Sequence, residues 1–357
     1  MNFTPHTPPT MQVSASQSEH AIRMGSLSFF SVIFATIRGE LYKIRRRVLS
    51  KVLISIGIFI TIAGMAVSAL PAVIAYNSSP ASFLPPSCSL TSNFNIKGPC
   101  LDHKPTQDDL ALGAQIKQQA VQNAADLLHL PGSFVVATQI ADFIGLILLV
   151  ILAGTVIGGE YSVGTIRLLL TRGPTRTQFF LAKIGTLLAC IALMFLILIP
   201  IGIAMGAVFT LLVPGITVDF GFFSGIWVVH ALLFLLIAIV GTFVYTMLAL
   251  CLATLGRATA AGVAGALVWW ALEGIAGGLL VIFASLVKGP VGDFMKAIPD
   301  YFIGNNVAAL LTNQSQYLTD GSSSSLSNLH AILVLTAYLT LFIGSAWWVQ
   351  MHRDVTN

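Results

Sequence analysis

Six segments of this chain stay apolar for longer than the roughly 20 residues a helix needs to cross the hydrocarbon of a bilayer. They are 52–76, 134–157, 184–213, 226–255, 260–287 and 329–350. Only 9% of the residues are charged, against about 25% in a soluble domain, so lipid has to solvate most of the surface. Together these facts predict an all-α membrane protein with six transmembrane helices. The third segment is long enough to tilt and carries Pro200. Proline removes a backbone donor, which predicts a kink there.

The cations set the direction. Of 18 Lys and Arg, 13 fall in the segments that precede span one, follow spans two and four, and follow span six. The remaining five (Lys97, Lys104, Lys117, Lys288 and Lys296) are spread over the longer opposite loops. By the positive-inside tendency both termini are cytoplasmic. Tyr76, Trp227, Trp347 and Trp348 sit near span ends, where aromatic rings prefer the interface. The net charge of +4 does not point to nucleic acid, because the cations flank apolar runs and form no basic patch with interleaved aromatics.

Residues 1–23 are polar and rich in Ser, Thr and Pro, the composition of a disordered tail. The first long apolar run starts only at Val52, so span one is expected to be retained rather than cleaved. In 24–51, Phe29, Phe30, Ile33, Phe34, Ile37, Leu41 and Ile44 recur at helical spacing beside Arg38, Lys43, Arg45, Arg46 and Arg47. This predicts an amphipathic helix lying in the bilayer interface. Residues 77–133 form an outer domain in which Cys88 and Cys100 are either a disulfide or two thiols. There Thr106, with Asp108 and Asp109, caps a helix expected to run to about Leu130. Pro290, Pro299 and Gly304-Asn305-Asn306 divide 288–328 into pieces too short to span, expected to be short helices dipping into the outer leaflet. Residues 351–357 are a cytoplasmic tail.

The most complex cytoplasmic loop is 158–183. Thr165 can cap a short helix, with Glu160 near its positive end and Leu168, Leu169 and Leu170 on its apolar face. Gly173-Pro174 stops it, and Arg172 and Arg176 frame it. Two readings stay open: a docking helix for a soluble partner, or a capped turn with stop-transfer charges.

The run Glu160-Tyr161-x-x-Gly164-Thr165-x-Arg167-x-Leu169-Leu170, followed by Pro174-x-Arg176 and Lys183, resembles the loop between spans two and three of the ABC-2 permease family. That family comprises six-span subunits of bacterial exporters. Glu40-Leu41-x-Lys43, Ile298-Pro299-Asp300-Tyr301 and Arg353-Asp354-Val355 are similar to its segments before span one, before the last span and after it. The outer domain with Cys88 and Cys100 and the polar N-terminal tail have no counterpart in it. The resemblance implies a homodimeric permease in a bacterial plasma membrane, bound to two ATPase subunits that carry the ATP and Mg. Glu160, Tyr161, Gly164, Thr165, Arg167, Leu169, Arg172 and Arg176 would be the coupling segment. Residues 288–328 would form a re-entrant gate, and spans two and five would line the dimer seam and substrate path.

No GxxxxGK[ST] phosphate loop occurs in the sequence. The chain is therefore expected to bind no cofactor and to be no enzyme by itself, with any ATPase on another polypeptide. No HExxH or close His/Cys pairing suggests a metal. Asp142 in span two and Glu273 in span five are the two carboxylates within the predicted spans. Intramembrane acids are functional candidates by default, the alternative being helix-to-helix hydrogen bonding. Trp269 and Trp270 beside Glu273 are expected to pack between helices or, less simply, to touch a ligand. Small-residue spacings at Gly154/Gly158, Gly202/Gly206 and Gly274/Gly278 permit close helix approach. The functions that follow are an exporter of an amphipathic or hydrophobic substrate, an ion-coupled secondary transporter using Asp142 and Glu273, and, with no catalytic motif to support it, an intramembrane enzyme.

Overall fold

The computed structural model describes residues 29–86, 104–163, 175–213, 221–287, 289–319 and 322–352. Among these, every regular element is helical. In chain order they are α1 (Phe29–Arg46), α2 (Val48–Asn77), α3 (Gln107–Ala125), α4 (Gly132–Val163), α5 (Arg176–Leu212), α6 (Gly225–Gly256), α7 (Thr259–Leu286), α8 (Pro290–Ala297), α9 (Ile303–Thr319) and α10 (Asn328–His352). Single 3-10 turns lie at Pro80–Phe83 and Ile298–Tyr301. Six helices, α2, α4, α5, α6, α7 and α10, are long and apolar enough to cross a bilayer, the build of a multi-pass membrane protein.

The helix ends follow local chemistry. Thr106 and Asp109 form a reciprocal capping box that starts α3, and Thr175 and Gln178 form another that starts α5. Because of that second cap α5 begins at Arg176, eight residues before the predicted span. Arg47 is an extended one-residue elbow (φ −73°, ψ 134°) between α1 and α2, so the amphipathic helix ends at Arg46 and Lys51 belongs to α2. Helix α3 stops at Ala125 rather than near Leu130, since residues 126–131 turn toward α4. Arg257, left-handed at φ 53°, turns the chain from α6 directly into its neighbour α7. Helix α5 runs unbroken through Pro200.

Helix α4 is central. Of its most apolar stretch 67% is buried, and it packs against α2, α5, α6 and α7. Each of the buried threonines (Thr61, Thr138, Thr186, Thr242, Thr246 and Thr254) has a partner for its hydroxyl. All but Thr242 bond the carbonyl four residues back, and Thr242 bonds Asp142. Helix α1, the end of α4, the start of α5 and the end of α10 meet at one end of the bundle, here called the near end. There the Arg176 guanidinium donates to the carbonyls of Gln350 (3.4 Å) and Met351 (3.0 Å).

Two of the three small-residue spacings work inside the chain. Gly158 meets the start of α7 so closely that a Cβ would stand 2.5 Å from both N and Cα of Thr259. Gly158→Ala is therefore expected to lower stability by about 1–3 kcal/mol, as overpacking does. At Gly278 a Cβ meets nothing within 4 Å, so Gly278→Ala should not destabilise the folded chain and should gain up to about 1 kcal/mol of helix propensity. Thermal denaturation of the two variants in one detergent tests the contrast.

Candidate functional site

Glu160 and Lys183 do not lie in the near-end loop as the sequence suggested. Glu160 is in the last turn of α4 and Lys183 is two turns inside α5, so the stretch between the two described helices narrows from 158–183 to 164–175. Glu160 thus becomes a third carboxylate on an apolar helix. Lys183, only 1% exposed, donates to Glu160 Oε1 at 2.6 Å and to Glu40 Oε2 at 2.9 Å. Its ammonium also lies 5.1 Å from the Phe179 ring centre. Lys43, one turn along α1, donates to the other Glu40 oxygen at 2.6 Å. Two carboxylates and two ammonium groups therefore tie α1, α4 and α5 together where the 164–174 segment leaves and returns. The pairing offsets the cost of burying the charges, which singly would be several kcal/mol each.

Burial pushes the Glu40 acid up, but Lys183 and Lys43 outweigh it and hold the group below its ordinary range. The folded state then binds its proton less readily than the unfolded chain. This stabilisation is complete above the ordinary carboxylate range and fades as pH falls through the folded value. Wild-type melting temperature should therefore hold down to about pH 5 and fall as pH drops further, and Glu40→Gln should flatten that fall. A pH series of thermal melts checks it.

The second constellation surrounds Glu273, midway along α7. Its Oε1 accepts from the Trp269 indole N–H at 2.9 Å and from the Ile303 backbone N–H at 3.1 Å. Its Oε2 accepts from the Tyr245 hydroxyl at 2.6 Å and from the Gly304 backbone N–H at 3.2 Å. The carboxylate therefore caps the start of α9 from another helix, matching the unsatisfied donors and positive dipole end found there. Gly304-Asn305-Asn306, expected as a turn, is the first turn of α9, a helix of 17 residues rather than a short piece. The Asn305 amide donates to Pro299 O at 2.9 Å, and that of Asn306 to Asp300 O and Phe302 O at 2.8 Å each. Val307 seats against Gly241, halfway along α6, where a Cβ would come within 2.6 Å of its Cγ1. At the other end of α9 the Gln314 amide donates to His230 O at 3.3 Å. Helix α9 thus runs along half of α6, from its middle to the end opposite α1.

Asp142 is not part of that cap. It accepts from Thr242 on α6 at 2.8 Å, and Thr242 and Tyr245 stand three residues apart on one face of α6. Trp270 packs edge-on against Phe143, with ring centres 5.6 Å apart. Trp269 departs from the packing expectation: it is 41% exposed and its polar edge serves Glu273. Cys88, Cys100, Gly164, Thr165, Arg167, Leu169 and Arg172, with both terminal tails, lie outside the described residues, as does the side chain of Tyr161. Sequence reasoning missed Glu40, Thr242 and Tyr245 as site residues. It also treated Lys183 as a loop end, although Thr175-x-x-Gln178 signals a helix start that places it inside α5.

A family model described as a protein of unknown function (DUF2705) matches residues 118–356, about two-thirds of the chain. The chain belongs to this family. The DUF2705 match takes in Asp142, Glu160, Lys183, Tyr245, Glu273 and all of α9, whereas Glu40 and Lys43 precede it. No curated protein matches the chain.

Proposed function

We propose that this protein is the membrane-spanning subunit of an ATP-driven exporter, working as a homodimer with two separate ATPase subunits in a bacterial plasma membrane. The observation that carries the reading is the Lys183 cluster. It ties α1, α4 and α5 at both roots of the 164–174 segment, so force applied there moves three helices together. The likeness of Glu160 to Arg176 to the ABC-2 coupling loop supplies the class of motor. Glu160, buried at 8% exposure, is then an anchor of that loop rather than a contact face. Docking falls to residues such as Arg167, Leu169 and Arg172. The excess of cations near the loop supports a cytoplasmic near end, and the Glu273 cap anchors α9 in the opposite half of the bundle. The cargo is an amphipathic or hydrophobic molecule.

Helix α7 supports the dimer. Only 6% of its most apolar stretch is buried, and Gly274 and Gly278 face open space. The test is isolation of the tagged full-length chain from its native membrane. An ATPase subunit should co-purify, with hydrolysis that Arg172→Glu or Gly164→Pro abolishes while membrane insertion persists. A single-cysteine label at position 169 that reacts only from outside the cell would overturn the reading. The second reading, an ion-coupled transporter through Asp142 and Glu273, draws on one observation: the partners of both acids, Thr242 and Tyr245, share a face of α6. It requires transport that follows an ion gradient without any ATPase.

A further inference from the structure

The elbow between α1 and α2 opens onto a crevice of about 380 Å³ bounded by α1, α2, α4 and α5. Its wall is almost wholly aliphatic, with Leu53, Leu149, Leu152, Met194 and Leu198 deep inside, and Ile54 at the lipid-facing rim, 40% exposed. Its polar features gather at one end. Arg45, in the last turn of α1, and Lys51, in the first turn of α2, are exposed cations on the lining, and among the described residues neither makes an ion pair. Ser50 lies between them on the lining, 5% exposed, and its hydroxyl has no hydrogen-bond partner. Elsewhere on α2, Thr61 and Ser68 satisfy their hydroxyls on the carbonyls of Gly57 and Gly64. A buried, unmatched hydroxyl is costly, and here it stands at the boundary between the cationic mouth and the aliphatic interior.

We infer that this crevice binds one anionic bilayer phospholipid, its acyl chain among the leucines, its glycerol ester oxygen on Ser50 and its phosphate at Arg45 and Lys51. The order of chemistry along the crevice, cation then hydroxyl donor then aliphatic wall, repeats the order of a glycerophospholipid from headgroup to chain. No carboxylate lines it, so an anion meets no opposing charge. The open rim at Ile54 and Leu193 lets a chain enter sideways from the bilayer. A lipid held there braces the α1–α2 elbow next to the Lys183 cluster. The site stands whether or not the chain exports anything.

Native mass spectrometry of the full-length chain in mild detergent tests it, using phosphatidylglycerol and phosphatidylcholine with identical acyl chains. One phosphatidylglycerol per chain should be retained about tenfold more tightly than phosphatidylcholine, given two nearby cations. Arg45→Gln with Lys51→Gln should remove that preference. Leu193→Trp, at a half-exposed position on the rim, should reduce binding of both lipids. Equal retention of the two lipids by the wild-type chain overturns the inference and needs no variant. So does a preference that survives the double substitution. A chain that holds no lipid but forms dimers that Leu193→Trp breaks would assign the crevice to a second copy, which also overturns it.

Discussion

Replacing Lys183 with methionine should destabilise the protein by about 3–5 kcal/mol, the cost of removing one partner from a buried ion pair. Methionine fills a similar volume and keeps the contact with Phe179, so the loss is electrostatic rather than a cavity. Glu40 retains Lys43 at 2.6 Å, but the cation that both carboxylates share is gone from between α4 and α1. Adding Glu160→Gln to Lys183→Met removes the matching buried charge and should recover more than half of the loss, since replacing a whole buried pair is often near neutral. Thermal melts of the two single variants and the double give the coupling as a double-mutant cycle. Additive effects would show that the 2.6 Å contact carries no energy of its own. Within the exporter reading, the double variant should stay folded yet transmit poorly, because the tie between the roots of the 164–174 segment is gone.

The six apolar helices were legible because hydropathy over about 20 residues is a strong signal. Their ends were less so. Charges end an apolar run, so Glu160 and Lys183 looked like loop residues, although each lies inside a helix and is tolerated there because it meets the other. The third member, Glu40, is 143 positions from Lys183, and no local pattern links them. Glu273 was conspicuous as a lone acid in an apolar run, but two of its partners are backbone N–H groups of Ile303 and Gly304, which carry no residue-type signal. The glycine spacings show the same boundary of inference. Gly154/Gly158 and Gly202/Gly206 meet other segments of the same chain, whereas Gly274/Gly278 faces outward, and the sequence pattern is identical in all three.

Glu273→Leu should release the start of α9 and raise hydrogen exchange at residues 303–307 at least tenfold, with a stability loss of roughly 3–5 kcal/mol. An ionised carboxylate offers about four lone-pair positions, and here four donors occupy them: Tyr245, Trp269, Ile303 and Gly304. Leucine leaves the two backbone donors facing an apolar side chain at the positive end of a helix. Glu273→Gln is the finer probe. With its oxygen kept toward Trp269 and Ile303, its amide faces the Tyr245 hydroxyl, which can rotate to accept, and the Gly304 N–H, which cannot. One backbone donor is then stranded, for a loss of about 1–3 kcal/mol. The expected order is wild type, then Gln, then Leu, with exchange rising only at the start of α9 for Gln. Asp142→Asn should leave residues 303–307 unaffected, because Asp142 bonds Thr242 and not α9. If Gln and Leu both exchange as the wild type does, the carboxylate does not hold the helix, and α9 is placed by its packing along α6 alone.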